Sequence, residues 1–195
     1  MKLSNLASDI IFGYTALGER TLSTGVRLIG HVPHRAPEAY LHVLFPPLDP
    51  TLFEPFSHQP YAEASRHYFP FLEVFNGAMF FSGSIELHGV RTRPLTRIGD
   101  DAWQPFDITE LNQDERPPNA PLDIFLFGSY NWDGSLLFLD SNGKVFVCQR
   151  KDVTPFAEWA SLELMISSEI IRLAQFFDER GRLIDKTAPR IPRKK

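Results

Sequence analysis

The residues in this chain with the chemistry to act on another molecule are few and scattered. His31, His34 and His42 fall close together, a grouping that would suit a metal ion. Their spacing matches no zinc pattern, no cysteine lies near, and the intervening prolines stop any two sharing a helix face. Cys148, the sole cysteine, sits inside an apolar run, where a thiol is inert. "DSNGK" (140–144) opens like a calcium loop but lacks the later Glu ligand. The sequence contains no G-x-x-x-x-G-K-[ST], G-x-S-x-G or H-E-x-x-H. No catalytic residue, metal ligand or cofactor is therefore expected, and the chain reads as a binder rather than an enzyme.

The strongest candidate is acidic. Between Asp100 and Asp123 lie seven acids (Asp100, Asp101, Asp107, Glu110, Asp114, Glu115, Asp123) against the single base Arg116. Trp103 and Phe106 fall in the same stretch. Clustered carboxylates with an aromatic anchor suit contact with a basic protein surface, where charge speeds encounter and the ring supplies contact area. The expected partner-contact residues are Asp100, Asp101, Trp103, Asp107, Glu110, Asp114, Glu115 and Trp132, the last at a turn tip. The opposing reading is a solvated loop whose aromatics fold back on the core.

Such a loop needs a frame to hold it. "GVRLIGHV" (25–32) alternates like a strand, and "FPPLDPTLFEPF" (45–56), with four prolines, cannot be a regular helix. Residues 61–77 read as helical, with Pro70 kinking or restarting the helix and Asn76-Gly77 stopping it. In 84–88, Ser84, Glu86 and His88 alternate with Ile85 and Leu87, a strand with one wet face. Residues 91–121 form a long excursion, with a short strand or turn expected near Trp103–Ile108. Residues 122–129 and 135–140 are strands joined by a turn at 130–134. Asn142-Gly143 suits a two-residue type I′ turn, which would pair Asp140 with Val145 and Phe138 with Val147. One face would then carry Leu136, Phe138, Val145 and Val147. The other would carry Leu137, Leu139, Phe146 and Cys148. Both are apolar, so the hairpin belongs mid-sheet with cover on both sides. Thr154 and Pro155 are expected to open a final helix with apolar residues at 159, 162, 166, 170, 173 and 177, broken near Ser167-Ser168.

With 195 residues, 43% of them hydrophobic and 17 of them Phe, the chain can build a large aromatic core. One cysteine, no apolar leader and no bilayer-length apolar run make a cytoplasmic location the expectation. From Arg180 to Lys195, seven bases stand against Asp185, a basic tail expected to be flexible.

"FLEVFNGAMFF", "SIELHGV", "FGSYNWDGSLLFLDSNGKVFVCQ" and "TPFAEWASLELMI", in that order, resemble the SUKH superfamily over roughly residues 61–178. That group includes a fungal regulator of cell-wall glucan synthesis and many bacterial proteins found beside polymorphic toxins. The matched steps are Phe75-Asn76-Gly77, Asp133-Gly134 with Leu136–Asp140, and Gly143 with Val145–Val147. The resemblance implies an α+β fold, a mostly antiparallel sheet flanked by helices. With the proline run at 45–56 read as a boundary, the chain divides into an N-terminal extension (1–55), a SUKH-like domain (56–180) and the basic tail (181–195). The resemblance implies protein binding, commonly as an immunity protein that neutralises a cognate toxin domain. Many intracellular toxins carry basic clefts, which the acidic excursion would suit. A regulatory or scaffold module is the second expectation, and an enzyme of unrecognised class the third.

Overall fold

Short, mostly apolar runs, most of them joined by short turns and two by long excursions, pair with the next run in the chain. The result is one antiparallel sheet whose nine strands lie in sequence order. The computed structural model describes residues 4–94, 96 and 98–192. The strands are β1 (Glu19–Thr21), β2 (Arg27–His31), β3 (Tyr40–Leu44), β4 (Ala78–Phe80), β5 (Ile85–Leu87), β6 (Phe125–Ser129), β7 (Leu136–Leu139), β8 (Val145–Gln149) and β9 (Asp152–Trp159). Among the described residues there are five α-helices: α1 (Asn5–Gly13), α2 (Ala62–Arg66), α3 (Phe69–Leu72), α4 (Ile108–Gln113) and α5 (Leu162–Ala174). The fold is α+β, a mostly antiparallel sheet flanked by helices, the class that the resemblance implies. The first fifty residues supply β1–β3, which continue the same sheet across the expected boundary at residue 55.

One face of the sheet, here the front, carries the main core. Ile29, Phe80, Ile85, Leu87, Phe125, Phe127, Leu137, Leu139, Val145 and Val147 pack against α1, α2, α3, α5 and the proline-bearing 3₁₀ segment Pro50–His58. Each fully buried large side chain contributes about 1.5–3 kcal/mol. A buried polar knot ties α5 to the end of β6: the Tyr130 hydroxyl donates to Glu169 at 2.7 Å, and Arg172 pairs with the same carboxylate. Arg172 also donates to the Arg190 carbonyl, so residues after α5 run back along the molecule. The Arg190 guanidinium lies over the Trp132 ring at 4.8 Å.

Three local expectations are corrected. The β7–β8 hairpin turns through three residues, not two. Leu139 pairs with Val145, Phe138 with Phe146 and Leu137 with Val147. Gly143 has φ +78°, while Asn142 is not in the left-handed region, so this is a type I turn closed by a glycine bulge rather than type I′. The one-residue slip moves Val145 and Val147 to the face of Leu137 and Leu139, because side chains alternate with period two. Gly143 is also required by contact: a Cβ there would stand 2.7 Å from His67 Nδ1.

Second, Thr154 and Pro155 belong to β9, not to a helix. β9 is an edge strand, where proline's missing N–H is tolerated. The helix starts at Leu162 instead, with the Ser161 hydroxyl accepting from Leu164 N. It continues unbroken through Ser167-Ser168, whose second hydroxyl bonds back to the Met165 carbonyl. Third, residues 61–77 are less regular than one helix: of the two alternatives at Pro70, a kink or a restart, the restart holds, giving two short helices with Pro70 at the start of the second. Asn76 then acts as a surrogate strand. Its amide donates to the Val90 carbonyl at 2.8 Å and accepts from Val90 N at 2.7 Å.

Candidate functional site

The other face of the sheet, the back, is read most simply along one row of directly opposed residues. Leu28 faces Val43, Val43 faces Met79, Met79 faces Glu86, Glu86 faces Ser129, Ser129 faces Leu136, and Leu136 faces Cys148. Opposed residues share a face, so the row is apolar at both ends and polar in the middle. Leu28, Val43, Phe45, Leu22 and Val26 form one apolar cluster, and Leu126, Leu136, Phe138 and Cys148 form another. The excursion between β5 and β6 crosses this face and caps both. Trp103 packs on the first cluster and Leu111 of α4 on the second.

Between the two caps lies a cavity of about 450 Å³ lined by Glu86, Phe106, Glu115, Ser129, Tyr130, Asn131, Asp133, Gly134, Leu136 and Arg150. Glu86 comes from β5, Ser129 from β6, Asn131, Asp133 and Gly134 from the β6–β7 turn, and Phe106 and Glu115 from the excursion. Glu86 is only 9% exposed. Burial pushes its carboxyl up to about 7, against a smaller downward pull from the Asn131 amide. Its Oε1 lies so close to Gly83 that a Cβ there would stand 2.8 Å away. Gly83 ends a run of three left-handed residues, Phe81 (φ 52°), Ser82 (φ 54°) and Gly83 (φ 79°). A non-glycine residue in that region costs roughly 1–2 kcal/mol. The turn is held by Ser82 N donating to the Leu41 carbonyl at 2.7 Å and by the buried Phe81 ring against His42.

His88, just past the end of β5, has its ring 5.5 Å from that of Phe106 and its Nε2 3.4 Å from Ser129 Oγ. Burial pulls its imidazole down to about 4. Among the described residues no carboxylate holds its other nitrogen. A neutral imidazole of such low basicity, at that distance, does little to activate the Ser129 hydroxyl. What the arrangement can do is bind: it offers a carboxyl balanced near neutral pH, an amide, a hydroxyl and a half-exposed ring.

Of the residues expected to contact a partner, only Glu115 lines this cavity. Its carboxylate pairs with Arg150 at 2.7 Å. The Asp100 carboxylate accepts from Ser23 N and Oγ, both at 2.8 Å, and from Arg20. The Ser23 bonds, more than Arg20, hold it below the usual carboxylate range. Asp101 pairs with Arg93 and Glu110 with Arg91. Asp107 caps α4 by accepting from Thr109 N, and Asp114 is exposed at the end of that helix. Trp103 is half-buried on the sheet and Trp132 half-buried under Arg190. The acids are therefore distributed along the back face, four of them facing arginines that charge counting within the segment does not include.

The histidines near the start separate. His31 Nε2 meets the Pro37 carbonyl at 2.8 Å, His34 is exposed, and His42 is fully buried in the front core, where burial pulls it down to about 3. Among the described residues no three His, Cys, Asp or Glu side chains are grouped to hold a metal. Burial pushes the Cys148 thiol up to about 12. Glu86, His88, Ser129, Asn131, Asp133 and Arg150 are the site residues that sequence reading missed. Its one signal was the polar alternation at 84, 86 and 88, read as the wet face of a strand. Comparison with protein-family models, with curated proteins and with solved structures gives no match. Among the described residues no helix is long and apolar enough to cross a membrane.

Proposed function

We propose that this chain is a non-catalytic protein-binding domain of the immunity type, which neutralises a cognate toxin domain by direct contact. The observation that carries the reading is the back-face excursion. It leaves large apolar side chains outside the core, Ile98 at 83% exposure, Phe106 at 45% and Leu122 at 67%, among charged and polar groups. Apolar anchors within a polar surround are the anatomy of a protein interface. The resemblance of the Asn-Gly, Asp-Gly and Asn-Gly turns and their strands to SUKH proteins supports the same class.

The pairing of Asp100, Asp101, Glu110 and Glu115 with arginines weakens the electrostatic part of the reading and shifts the weight to the anchors. Exposed ion pairs also contribute little to stability, so they remain free to exchange partners.

The test is co-expression with any toxin domain found encoded beside this chain, followed by calorimetry on the purified pair. Protection of the cells and a nanomolar or tighter complex are expected, with Phe106→Ala weakening binding at least tenfold. Neither protection nor a complex with that domain would overturn the reading.

A further inference from the structure

The middle of the back face holds a carboxyl that no counter-charge among the described residues balances. Glu86 sits on the fifth of nine strands, is nine-tenths buried, and lines the cavity. The other charged lining groups, Glu115, Asp133 and Arg150, are exposed, and Arg150 is already paired with Glu115. Among the described residues no Lys, Arg or His forms an ion pair with Glu86; its one polar neighbour with a hydrogen bond is the Asn131 amide. The lining thus sets three carboxylates against one guanidinium. Burying a carboxylate without a counter-charge is costly. Nothing in the sheet demands it, since the residue facing it on β4 is Met79. A group retained against that cost, beside three successive left-handed residues, marks a contact made with something else.

We propose that this cavity binds an organic cation, an ammonium or guanidinium head group, with Glu86 as counter-ion and the Phe106 ring as an aromatic wall. The cavity is large enough for a head group and its alkyl stem, and aromatic faces attract such cations once water is removed. The natural source is a Lys or Arg side chain of the partner, which rests on the protein-binding reading above; a free amine would present the same chemistry.

Affinity should follow the ionisation of Glu86. The groups that face or surround it are His88 just past the end of its strand, Ser129 and Asn131 from β6 and its turn, Asp133 from that turn, Glu115 from the excursion and Arg150 from the β8–β9 turn. Arg91 and Glu110 act on the same region through His88. With Glu86 half-ionised near 7, a cation should bind about tenfold more tightly at pH 8 than at pH 6.

The experiment titrates the full chain with N-acetyl-lysine methylamide and N-acetyl-arginine methylamide, with the norleucine analogue as neutral control and putrescine as free amine. Readouts are amide shifts and the side-chain carboxyl ¹³C of Glu86. Saturable shifts at Glu86, Ser129 and Asn131 are expected for the cations alone, with a lowered Glu86 titration midpoint. Glu86→Gln should abolish binding, and Asp133→Asn should weaken it. Equal binding of the norleucine analogue, unchanged affinity in Glu86→Gln, or an unmoved midpoint at saturating probe would overturn the site. The midpoint decides the matter even if Glu86→Gln fails to fold. Preference for putrescine over the blocked amino acids would overturn the side-chain source. Because the probes need no toxin, probe binding without cell protection removes only the immunity reading. Protection without probe binding removes only the cation site.

Discussion

Glu86 and the two buried histidines show how single residues set opposite responses to pH. His42 and His88 have folded-state values near 3 and 4, below the ordinary 6.5. Between those values the unfolded chain binds the extra protons, so stability falls as pH drops. Glu86 is raised from 4.5 to about 7, so there the folded chain holds the proton and stability falls as pH rises through that range. The raised value corresponds to about 3 kcal/mol lost once Glu86 must ionise in place. Replacing it with Gln should therefore raise unfolding free energy at pH 8 by about 2–3 kcal/mol and change it little at pH 4.5. Urea denaturation across that range measures the difference. Equal stability of the two proteins at pH 8 would mean that Glu86 carries no such cost.

At the scale of elements, the β7–β8 hairpin turns on one glycine rather than two left-handed residues. The type I′ reading makes Asn142 and Gly143 equally special, whereas the three-residue turn makes only Gly143 so. Gly143→Ala should lower stability by about 1–3 kcal/mol, from the left-handed backbone and the collision with His67. Asn142→Ala should stay within about 0.5 kcal/mol, since what the turn uses there is its backbone N–H, donated to Asp140 Oδ1. Thermal unfolding of both variants separates the two geometries. β9 shows a related ambiguity. Trp159, Leu162 and Ile166 fit a helical period, yet Val153, Thr154, Phe156, Ala157 and Trp159 also fit a strand. The sheet edge at β8 was open to pair with them, and pairing prevailed over periodicity.

For the whole molecule, continuity of the sheet is the property that matters. β3 pairs with β4, Ile11 and Ile29 enter the main core, and Ser4 N reaches the Ser167 hydroxyl of α5 at 3.4 Å. A fragment spanning 56–180 would lose three strands and α1, open the β4 edge and uncover part of the front core. It should show no cooperative thermal transition by circular dichroism, whereas the full chain should. A cooperative transition in the fragment would return residues 1–55 to the status of an appendage.

What was legible beforehand follows from local chemistry. Strand-forming runs, the glycine-bearing turns, the two-sided apolar character of β7 and β8, and the polar alternation at Ser84, Glu86 and His88 are written in adjacent residues. Register was not legible, because a period of two lets a one-residue slip exchange faces at no local cost. The partners of the acids were not legible either, since Asp100 meets Ser23 and Arg20 nearly eighty positions away. The site depended on both. Glu86 reads as a residue on a wet strand face until the sheet sets β5 at its centre and the excursion covers that face, and burial alone then changes its charge.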